Sequence, residues 1–403
     1  MSSIKLPHAD GNSMSIAAPA TNPASDLELK LPATIGNAGQ ALINSSTAGT
    51  LEFGTPAAAS RNILVNGAMK VHQRGGDITS DGYSLDMFAR QQSSDGAFTV
   101  SQSTTSPDGF SKSLKVDVTT ADTILGASHY AQIKTKIEAQ DLQHLAYGTS
   151  AAKDITLSFY VRSNKTGNYG LWIQQSDNSF KQVSFQYTIN SADTWERKTI
   201  SIPGDTAGNI NDDSGDGFII GWGLGAGSNK TSGSLRSTWT AHASADEFAG
   251  QAINILDSTS NEWYLTGVQV EVGSYATDFE HRSYGDELAR CQRYLYIETA
   301  NNGDYMGLNG LVTTDAAVNA NRTLPVPMRA IPSYTGTETD LEFQSYDTTA
   351  MKHFDDGIVY RTPTTVPCTV INLKWDVSST QAGHFAMCRC KENGAQMIFS
   401  AEL

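Results

Sequence analysis

Residues 155–161 read Ile-Thr-Leu-Ser-Phe-Tyr-Val, and apolar side chains occupy every second position of this stretch. Successive side chains of a β-strand point to opposite faces, so the spacing predicts a strand with its odd-numbered residues turned toward a core. The same period recurs in five further stretches: residues 169–173, 183–187, 199–203, 218–222 and 264–272. Glycines, prolines and aspartates typical of turns lie between them. This pattern predicts an antiparallel β-sandwich over residues 61–281.

Two further regions lie outside the predicted sandwich, one before it and one after the segment at residues 282–298. Residues 1–60 are rich in Ala, Ser, Thr, Pro, Asn and Gly, and their short apolar groups cannot bury enough surface to fold alone. We interpret them as an N-terminal attachment arm held by partners, a disordered arm being the alternative. The alternating apolar pattern of β-strands reappears in residues 299–403. Asn393-Gly394 predicts a hairpin turn there, and Trp375 is predicted to be a core residue. They predict a smaller C-terminal β-sandwich domain, whose loops around residues 334–356 are a candidate host-reading region.

Residues 282–298 carry the one helical pattern that we consider convincing. Ser283 can cap the first turn, with Asp286 at the capping-box position. Apolar side chains then recur three and four residues apart at Leu288, Cys291 and Leu295. We predict a short linking helix, so the fold class is all-β with an arm, a sandwich, this helix and a second sandwich.

Charge and cysteine content exclude several classes of partner. Lys and Arg number 28 and Asp and Glu 42, which gives a net charge of −14 without a basic cluster. We therefore expect no nucleic-acid binding, because phosphate contacts need a basic surface. No apolar run approaches the length of a membrane helix and no signal peptide is visible, so we also expect no membrane insertion. The four cysteines are sparse, which favours reduced thiols and folding in a bacterial cytoplasm.

Patterns for catalysis and metal binding are weak. Glycoside cleavage uses two carboxylates about 5–10 Å apart, and none of the acidic residues has a flanking pattern that identifies such a pair. The acidic loop at residues 212–216 is predicted to be a solvated turn, with calcium binding as the alternative. The glycines of residues 221–227 indicate a strand that runs into a turn rather than a phosphate loop. We predict no enzymatic activity, no cofactor and no metal site.

The alternating strands also predict an outward face. If residues such as Leu157 and Leu171 face the core, their neighbours face solvent and carry aromatic, guanidinium and amide groups. Such groups stack on the C–H faces of sugars and hydrogen-bond to hydroxyls. Trp, Tyr and Arg are also enriched in subunit contacts, so packing between copies is the alternative. The candidate glycan-binding residues are Tyr160, Arg162, Trp172, Gln174 and Gln186.

Five segments, taken in order, carry a resemblance to phage proteins. Residues 62–75, Asn-Ile-Leu-Val-Asn-Gly-Ala-Met-Lys-Val-His-Gln-Arg-Gly, resemble the opening of jelly-roll domains, similar to carbohydrate-binding modules, in phage tail fibres. Residues 267–284 look like the closing strand of that domain. Residues 287–294 and 324–330 are similar to segments that follow it. Residues 29–42 resemble attachment regions of tail fibres from marine and cyanobacterial phages.

The resemblance implies a function that composition alone does not. It implies a homotrimeric fibre in the virion, made in the host cytoplasm, whose residues 1–60 dock to a tail baseplate, nozzle or adaptor protein. Its sandwich is then expected to bind host-surface polysaccharide. One departure is Leu85-Asp-Met-Phe-Ala-Arg90, where many relatives have an Asp-Arg-Trp-like element, so we assign no ligand role there. The alternatives are a polysaccharide depolymerase tailspike and a purely structural head-fibre, decoration or adaptor protein.

Overall fold

The structure is a computed structural model in which β-strands dominate, as the predicted all-β class requires. The chain divides into two compact units, Met1–Ala59 and Ser60–Leu403. Much of the predicted arm and of the candidate host-reading loops falls outside the described residues, as does the side chain of Trp375. The structure describes residues 3–7, 13–17, 30–33, 41–44, 50–54, 61–177, 180–314, 317–336, 341–345, 352–353, 356–361, 368–376 and 385–403.

The first unit contains two β-hairpins. Strand β1 pairs antiparallel with β2, and β3 pairs antiparallel with β4. Two-stranded hairpins are marginally stable in water on their own. A segment built in this way therefore gains stability from whatever it packs against. The four strands are β1 (Ser3–Pro7), β2 (Ser13–Ala17), β3 (Ala41–Asn44) and β4 (Leu51–Gly54).

A two-sheet sandwich forms the first part of the second unit. Its twelve strands are β5 (Gly82–Tyr83), β6 (Phe88–Ser93), β7 (Ala97–Ser103), β8 (Ser113–Thr120), β9 (Tyr130–Glu138), β10 (Ile155–Ser163), β11 (Gly167–Gln175), β12 (Lys181–Ile189), β13 (Glu196–Ile202), β14 (Asp216–Ala226), β15 (Thr240–Ala241) and β16 (Glu262–Val272). One sheet has the order β13-β10-β16-β8-β7 and the other β15-β12-β11-β14-β9-β6-β5. The chain changes sheets between β10 and β11 and returns after β12, so β10 and β13 lie on the opposite side of the core from β11 and β12.

The core lies between these two sheets and confirms the predicted period of two. The inward side chains of β10 are fully buried, as are Trp222 on β14 and Trp263 on β16. Phe159 and Trp222 come from opposite sheets and meet edge to face, with ring centroids 5.9 Å apart. Burial of large aromatic side chains of this kind contributes much of the stability of a sandwich.

The linking helix α2 (Tyr284–Gln292) is part of the sandwich. The Ser283 side chain accepts a hydrogen bond from the Asp286 backbone N–H, which confirms the predicted cap. The helix ends earlier than the sequence pattern indicates, because Leu295 begins a strand. Cys291 and Tyr294 are buried in the sandwich core.

A buried carboxylate fixes the end of this helix to the sandwich. Glu138, at the end of β9, is fully buried. It accepts hydrogen bonds from the Arg293 guanidinium at 2.7 and 2.9 Å and from the Tyr294 hydroxyl at 2.9 Å. Charge-assisted pairs of this geometry hold two elements in one orientation. The shorter helical elements of the unit are α1 (Ser228–Thr231) and 3₁₀ turns at Ala139–Leu145, Ser244–Asp246 and Ile255–Asp257.

The C-terminal part of the second unit is also made of two sheets, as predicted. Its strands are β17 (Leu295–Ala300), β18 (Tyr305–Thr314), β19 (Ala317–Met328), β20 (Ser333–Gly336), β21 (Leu341–Ser345), β22 (Lys352–His353), β23 (Asp356–Arg361), β24 (Cys368–Asp376), β25 (Phe385–Cys390) and β26 (Ala395–Ser400). The sheet orders are β17-β26-β20 and β22-β21-β25-β18-β19-β24-β23. A second apolar core lies here and includes Met306, Leu308 and Phe399. The four cysteines are buried.

Contacts join this C-terminal part to the sandwich. The guanidinium of Arg329 donates hydrogen bonds to the carbonyl oxygens of Ala401 and Glu402, at 2.5 and 2.7 Å, and to that of Ser214 in the sandwich. Leu403 packs against the core of the sandwich. Residues 401–403 therefore lie beside the seven-stranded sheet of the sandwich. Within the described ranges, none of the helices combines the length and the apolar character that crossing a bilayer requires.

Candidate functional site

The five candidate glycan-binding residues do not share one surface. Tyr160 and Arg162 lie on β10 in the five-stranded sheet, whereas Trp172 and Gln174 lie on β11 and Gln186 on β12 in the seven-stranded sheet. The prediction of a single face across three neighbouring strands is therefore wrong. Alternation along each strand predicted which way a side chain points, but not that the chain changes sheets between β10 and β11.

The two residues on β10 are engaged in local contacts. The ring of Tyr160 packs against that of Phe110, with centroids 5.3 Å apart. The guanidinium of Arg162 donates to the carbonyl and the side chain of Asp193 at 3.0 and 2.8 Å, and it lies 5.0 Å from the centre of the Tyr264 ring. These contacts fix both side chains on the five-stranded sheet, away from the other three candidates.

Half of the outer face of the seven-stranded sheet is covered by residues 227–254, which we call the cover segment. Phe248 of this segment is fully buried against the backbone of Gly170 and Gly223. A Cβ atom at Gly223 would lie 2.3 Å from the side-chain oxygen of Gln251 and 2.7 Å from the Phe248 ring, so only glycine permits this approach. The amide of Gln186 donates to the Ala249 carbonyl at 2.9 Å. Gln186 is thus a contact of the cover segment.

Ion pairs hold the cover segment in place. The Arg236 guanidinium donates to the Asp246 carboxylate at 2.7 Å, and the Ser234 backbone N–H donates to the same group at 2.8 Å. Burial acts to raise the pKa of Asp246, but the hydrogen bonds from Ser234 and Arg236 outweigh it, and the pKa is lowered. Lys230 forms a further pair with Glu247. The segment is therefore a packed element rather than a loose loop.

Trp172 points to this outer face but is only 6% exposed. Its indole lies over Gly221, where an added Cβ would fall 2.2 Å from the indole nitrogen. That nitrogen donates to the side-chain oxygen of Gln132 at 3.0 Å, and the amide of Gln132 donates to Gln91 at 2.9 Å. Trp172 therefore orients two amides across the sheet. Gln174, only 8% exposed, lies next to it on β11.

The other half of the face is open and forms a cleft of about 250 Å³. Strands β5, β6 and β9 supply most of its wall, and residue 403 closes one side. The hydroxyl of Tyr83 donates to the Leu403 carbonyl at 2.6 Å, which holds the ring at the edge of the cleft. Gln91 also lines the cleft. It is the last side chain in the hydrogen-bonded series that begins at Trp172 and passes through Gln132. The cleft leaves no pattern in the sequence, because it depends on contacts between distant segments.

Charged side chains complete the cleft. Arg90 is 4% exposed, donates to the Phe98 carbonyl at 3.1 Å, packs over the Phe98 ring and pairs with Asp81. Lys136 pairs with Asp216 at 2.6 Å. Burial lowers the pKa of the neighbouring Lys134. The cleft thus combines an aromatic ring, an oriented amide and ammonium groups within a small volume.

A separate group of residues has the composition of a metal site. One ligand atom from each of Asp95, Asp122 and His129 lies within 4.8 Å of the others. The imidazole Nδ1 of His129 is 3.1 Å from the Asp122 carboxylate, and the Asp95 backbone N–H donates to that carboxylate at 3.2 Å. Carboxylate and imidazole ligands together suit zinc and similar divalent ions. The sequence did not indicate this group, because its members are distant from one another in the chain.

Comparison with known proteins identifies no family. No model of a known protein family matches the chain, and no curated protein matches it. Among solved structures, the chain is similar to the enzymatically active domain of tailspike protein 4 from bacteriophage CBA120. The identity is 12% over 55% of this chain and 23% of that chain, with a TM-score of 0.31.

Carbohydrate-binding modules are also among the similar structures. A family 4 module is 16% identical over 52% of this chain and 98% of its own, with a TM-score of 0.27. The family 11 module of the cellulase Lic26A-Cel5E from Clostridium thermocellum is 10% identical over 50% of this chain and 97% of its own. Its TM-score is also 0.27.

Proposed function

We propose that this chain is a phage tail-fibre subunit that binds host-surface glycan without cleaving it. The order of five sequence segments similar to phage tail fibres supports the fibre assignment. In this proposal residues 1–60 attach the subunit to the tail, and the second unit meets the host. The hairpins of the first unit support such a role, because isolated hairpins gain stability from a partner.

The cleft beside Tyr83 is the observation that carries the proposed binding. It is open, whereas the cover segment occupies the other half of the same sheet face. The Tyr83 ring can stack on the C–H face of a sugar, and the Gln91 amide can donate to and accept from hydroxyls. Because the Trp172 and Gln132 side chains already orient Gln91, little conformational entropy is lost when a ligand binds.

The charge distribution in the cleft supports binding rather than hydrolysis. Glycosidases use two carboxylates about 5–10 Å apart. Asp81 is the one acidic side chain that lines the cleft in the described part of the chain, and it pairs with Arg90. A carboxylate engaged in this way is a poor general acid. Incubation with a bound polysaccharide should therefore release no new reducing ends, and their appearance would favour the depolymerase alternative.

Binding is tested with the full chain against a panel of bacterial surface polysaccharides. We expect the Tyr83→Ala variant to bind about tenfold more weakly, because the stacking ring is lost. Tyr83→Phe keeps the ring but loses its hydrogen bond to Leu403, so its affinity should fall less than that of Tyr83→Ala. Tyr284→Ala removes an exposed ring at the start of α2 and serves as the matched control. Equal affinity of the Tyr83→Ala variant and the wild-type chain would exclude this cleft as the binding site.

A further inference from the structure

Lys134 occupies the middle of the cleft wall. In the strand register it pairs with Gly221 on one side and Ala89 on the other, and Trp172 pairs with Gly221 in turn. Ala89 is small and the Trp172 indole lies over Gly221, so the lysine side chain lies between Ala89 and that indole on this face. The side chain is half-buried. Lys134 also lines the cleft.

Among the residues that the structure describes, no acidic side chain forms an ion pair with this lysine. Three carboxylates act on Lys134 electrostatically. Each is engaged by another side chain, and this includes Asp81, which lines the cleft but pairs with Arg90. The pairs are Asp81 with Arg90, Asp216 with Lys136 and Glu247 with both Lys230 and His242.

A half-buried cation without a partner is an unfavourable arrangement. Burial opposes the charged form of Lys134, and the nearby charge of Lys136 adds to this effect, so the pKa is lowered. Removing a charge from water costs free energy unless an opposite charge compensates. An anion bound in the cleft supplies that compensation. Lys134 is thus suited to a negatively charged ligand.

We propose that the cleft recognises an acidic glycan and that Lys134 binds the anionic substituent of the sugar. This inference rests on the proposed glycan binding at the same site and specifies its chemical class. Tyr83 and Gln91 contact the sugar ring, and the ammonium group binds a carboxylate, phosphate or sulfate carried by it. An ammonium group acts as a compact point charge and can bind any of these anions, so the three substituents are recognised in the same way.

The test compares matched sugars on the full chain by titration calorimetry. The ligands are a uronate oligosaccharide, the same oligosaccharide with its carboxyl groups reduced to alcohols, and a phosphorylated oligosaccharide. We expect an anionic form to bind about 10- to 100-fold more tightly than the reduced form, because a hydrogen bond to a charged group contributes a binding free energy of that size. Higher salt should weaken binding of the anionic form only. Preference for uronate or for phosphate identifies the source of the anion.

Variants assign the effect to Lys134. Lys134→Gln should bind the anionic sugar as weakly as the reduced sugar, while its affinity for the reduced sugar stays unchanged. Lys112→Gln makes the same change in net charge at a half-buried lysine on the loop before β8, and it should bind like the wild-type chain. Unchanged near-ultraviolet circular dichroism establishes that each variant is folded.

Two results overturn the inference, and they have different consequences. Equal binding of the anionic and reduced sugars overturns acidic recognition, and full affinity in the Lys134→Gln variant overturns the role of Lys134; both results leave glycan binding intact. Absence of binding to every sugar, acidic or neutral, overturns both this inference and the proposed function.

Discussion

At the scale of single residues, Trp172 links the covered half of the sheet face to the open half. It is nearly inaccessible to solvent, yet its indole N–H begins a chain of amides that ends at Gln91 in the cleft. A buried Trp usually satisfies its N–H with a partner, and here the partner extends toward the ligand site. Trp172 is therefore a positioning residue rather than a stacking platform.

A Trp172→Phe substitution tests this role. Phenylalanine cannot donate to Gln132, so the amides of Gln132 and Gln91 lose their fixed orientation. We expect glycan affinity to fall by about two- to tenfold, the equivalent of one hydrogen bond. Trp239→Phe removes an indole that donates to the Pro203 carbonyl at 2.7 Å and does not line the cleft, so it should leave affinity unchanged. A loss of the same size in both variants would mean that the effect arises from general destabilisation.

The sequence predicted the direction of individual side chains better than their surroundings. Alternation placed Phe159 in the core, and the structure agrees. The same alternation directed Trp172 outward, but it could not show that Gly221 leaves room for the indole to lie flat on the sheet. The candidate site was therefore only partly predictable, because accessibility depends on residues that are distant in sequence.

At the scale of elements, the cover segment and the glycines beneath it are the feature that sequence patterns missed. Residues 221–226 end strand β14 as the sequence indicates, but the chain then enters the short helix α1 instead of the predicted turn. Their glycines also allow Phe248 to pack directly on the backbone of the sheet, which no periodicity reveals. Strand positions could be predicted because each depends on a local period, whereas the pairing of strands into sheets depends on contacts across the chain.

We expect the Gly223→Ala substitution to displace the cover segment. The new Cβ would meet the Gln251 side chain at 2.3 Å and the Phe248 ring at 2.7 Å. Overpacking of this kind costs about 1–3 kcal/mol of unfolding free energy, measurable by chemical denaturation. The control is Gly285→Ala in α2, where an added Cβ meets nothing within 4 Å. It should be neutral or slightly stabilising, since alanine is the better helix former; a similar loss at both positions would contradict the packing argument.

The turn between β12 and β13 should make stability depend on pH. Burial acts to raise the pKa of Glu196, but hydrogen bonds from Lys198, Ser191 and Asn190 outweigh it and lower the pKa to about 2, from 4.5. A carboxylate with a lowered pKa stabilises the fold above its unfolded pKa and loses that contribution as the pH falls toward the folded value. The contribution of Glu196 is therefore present above pH 4.5 and disappears as the pH approaches 2.

Comparison with the Glu196→Gln variant isolates this contribution from those of other carboxylates. The difference in denaturation midpoint between the two proteins should be largest near neutral pH and should shrink steadily below pH 4.5. A difference that stays constant across this range would show that Glu196 acts through packing rather than through its charge.

At the scale of the whole molecule, the two units differ in how they can be stabilised. The second unit holds two apolar cores, joined by α2 and by the hydrogen bonds of Arg329 to Ser214 and of Tyr83 to Leu403. The described strands of the first unit form two separate hairpins. A unit of this kind needs further surface to pack against, and copies of the same chain or a tail protein can provide it. This difference is the physical reason to expect assembly through the first unit.

We expect the protein to sediment as a particle with three times the 43.2 kDa mass of one chain, because the proposed fibre is a homotrimer. Three clefts on one particle would raise the effective concentration at a glycan-coated surface. The apparent affinity for that surface should therefore exceed the affinity of a single cleft for a soluble oligosaccharide. Analytical ultracentrifugation measures the first quantity, and the ratio of surface to solution affinity measures the second. A monomeric particle with equal surface and solution affinities would contradict the trimer. The cleft would then have to bind host glycan strongly enough without avidity.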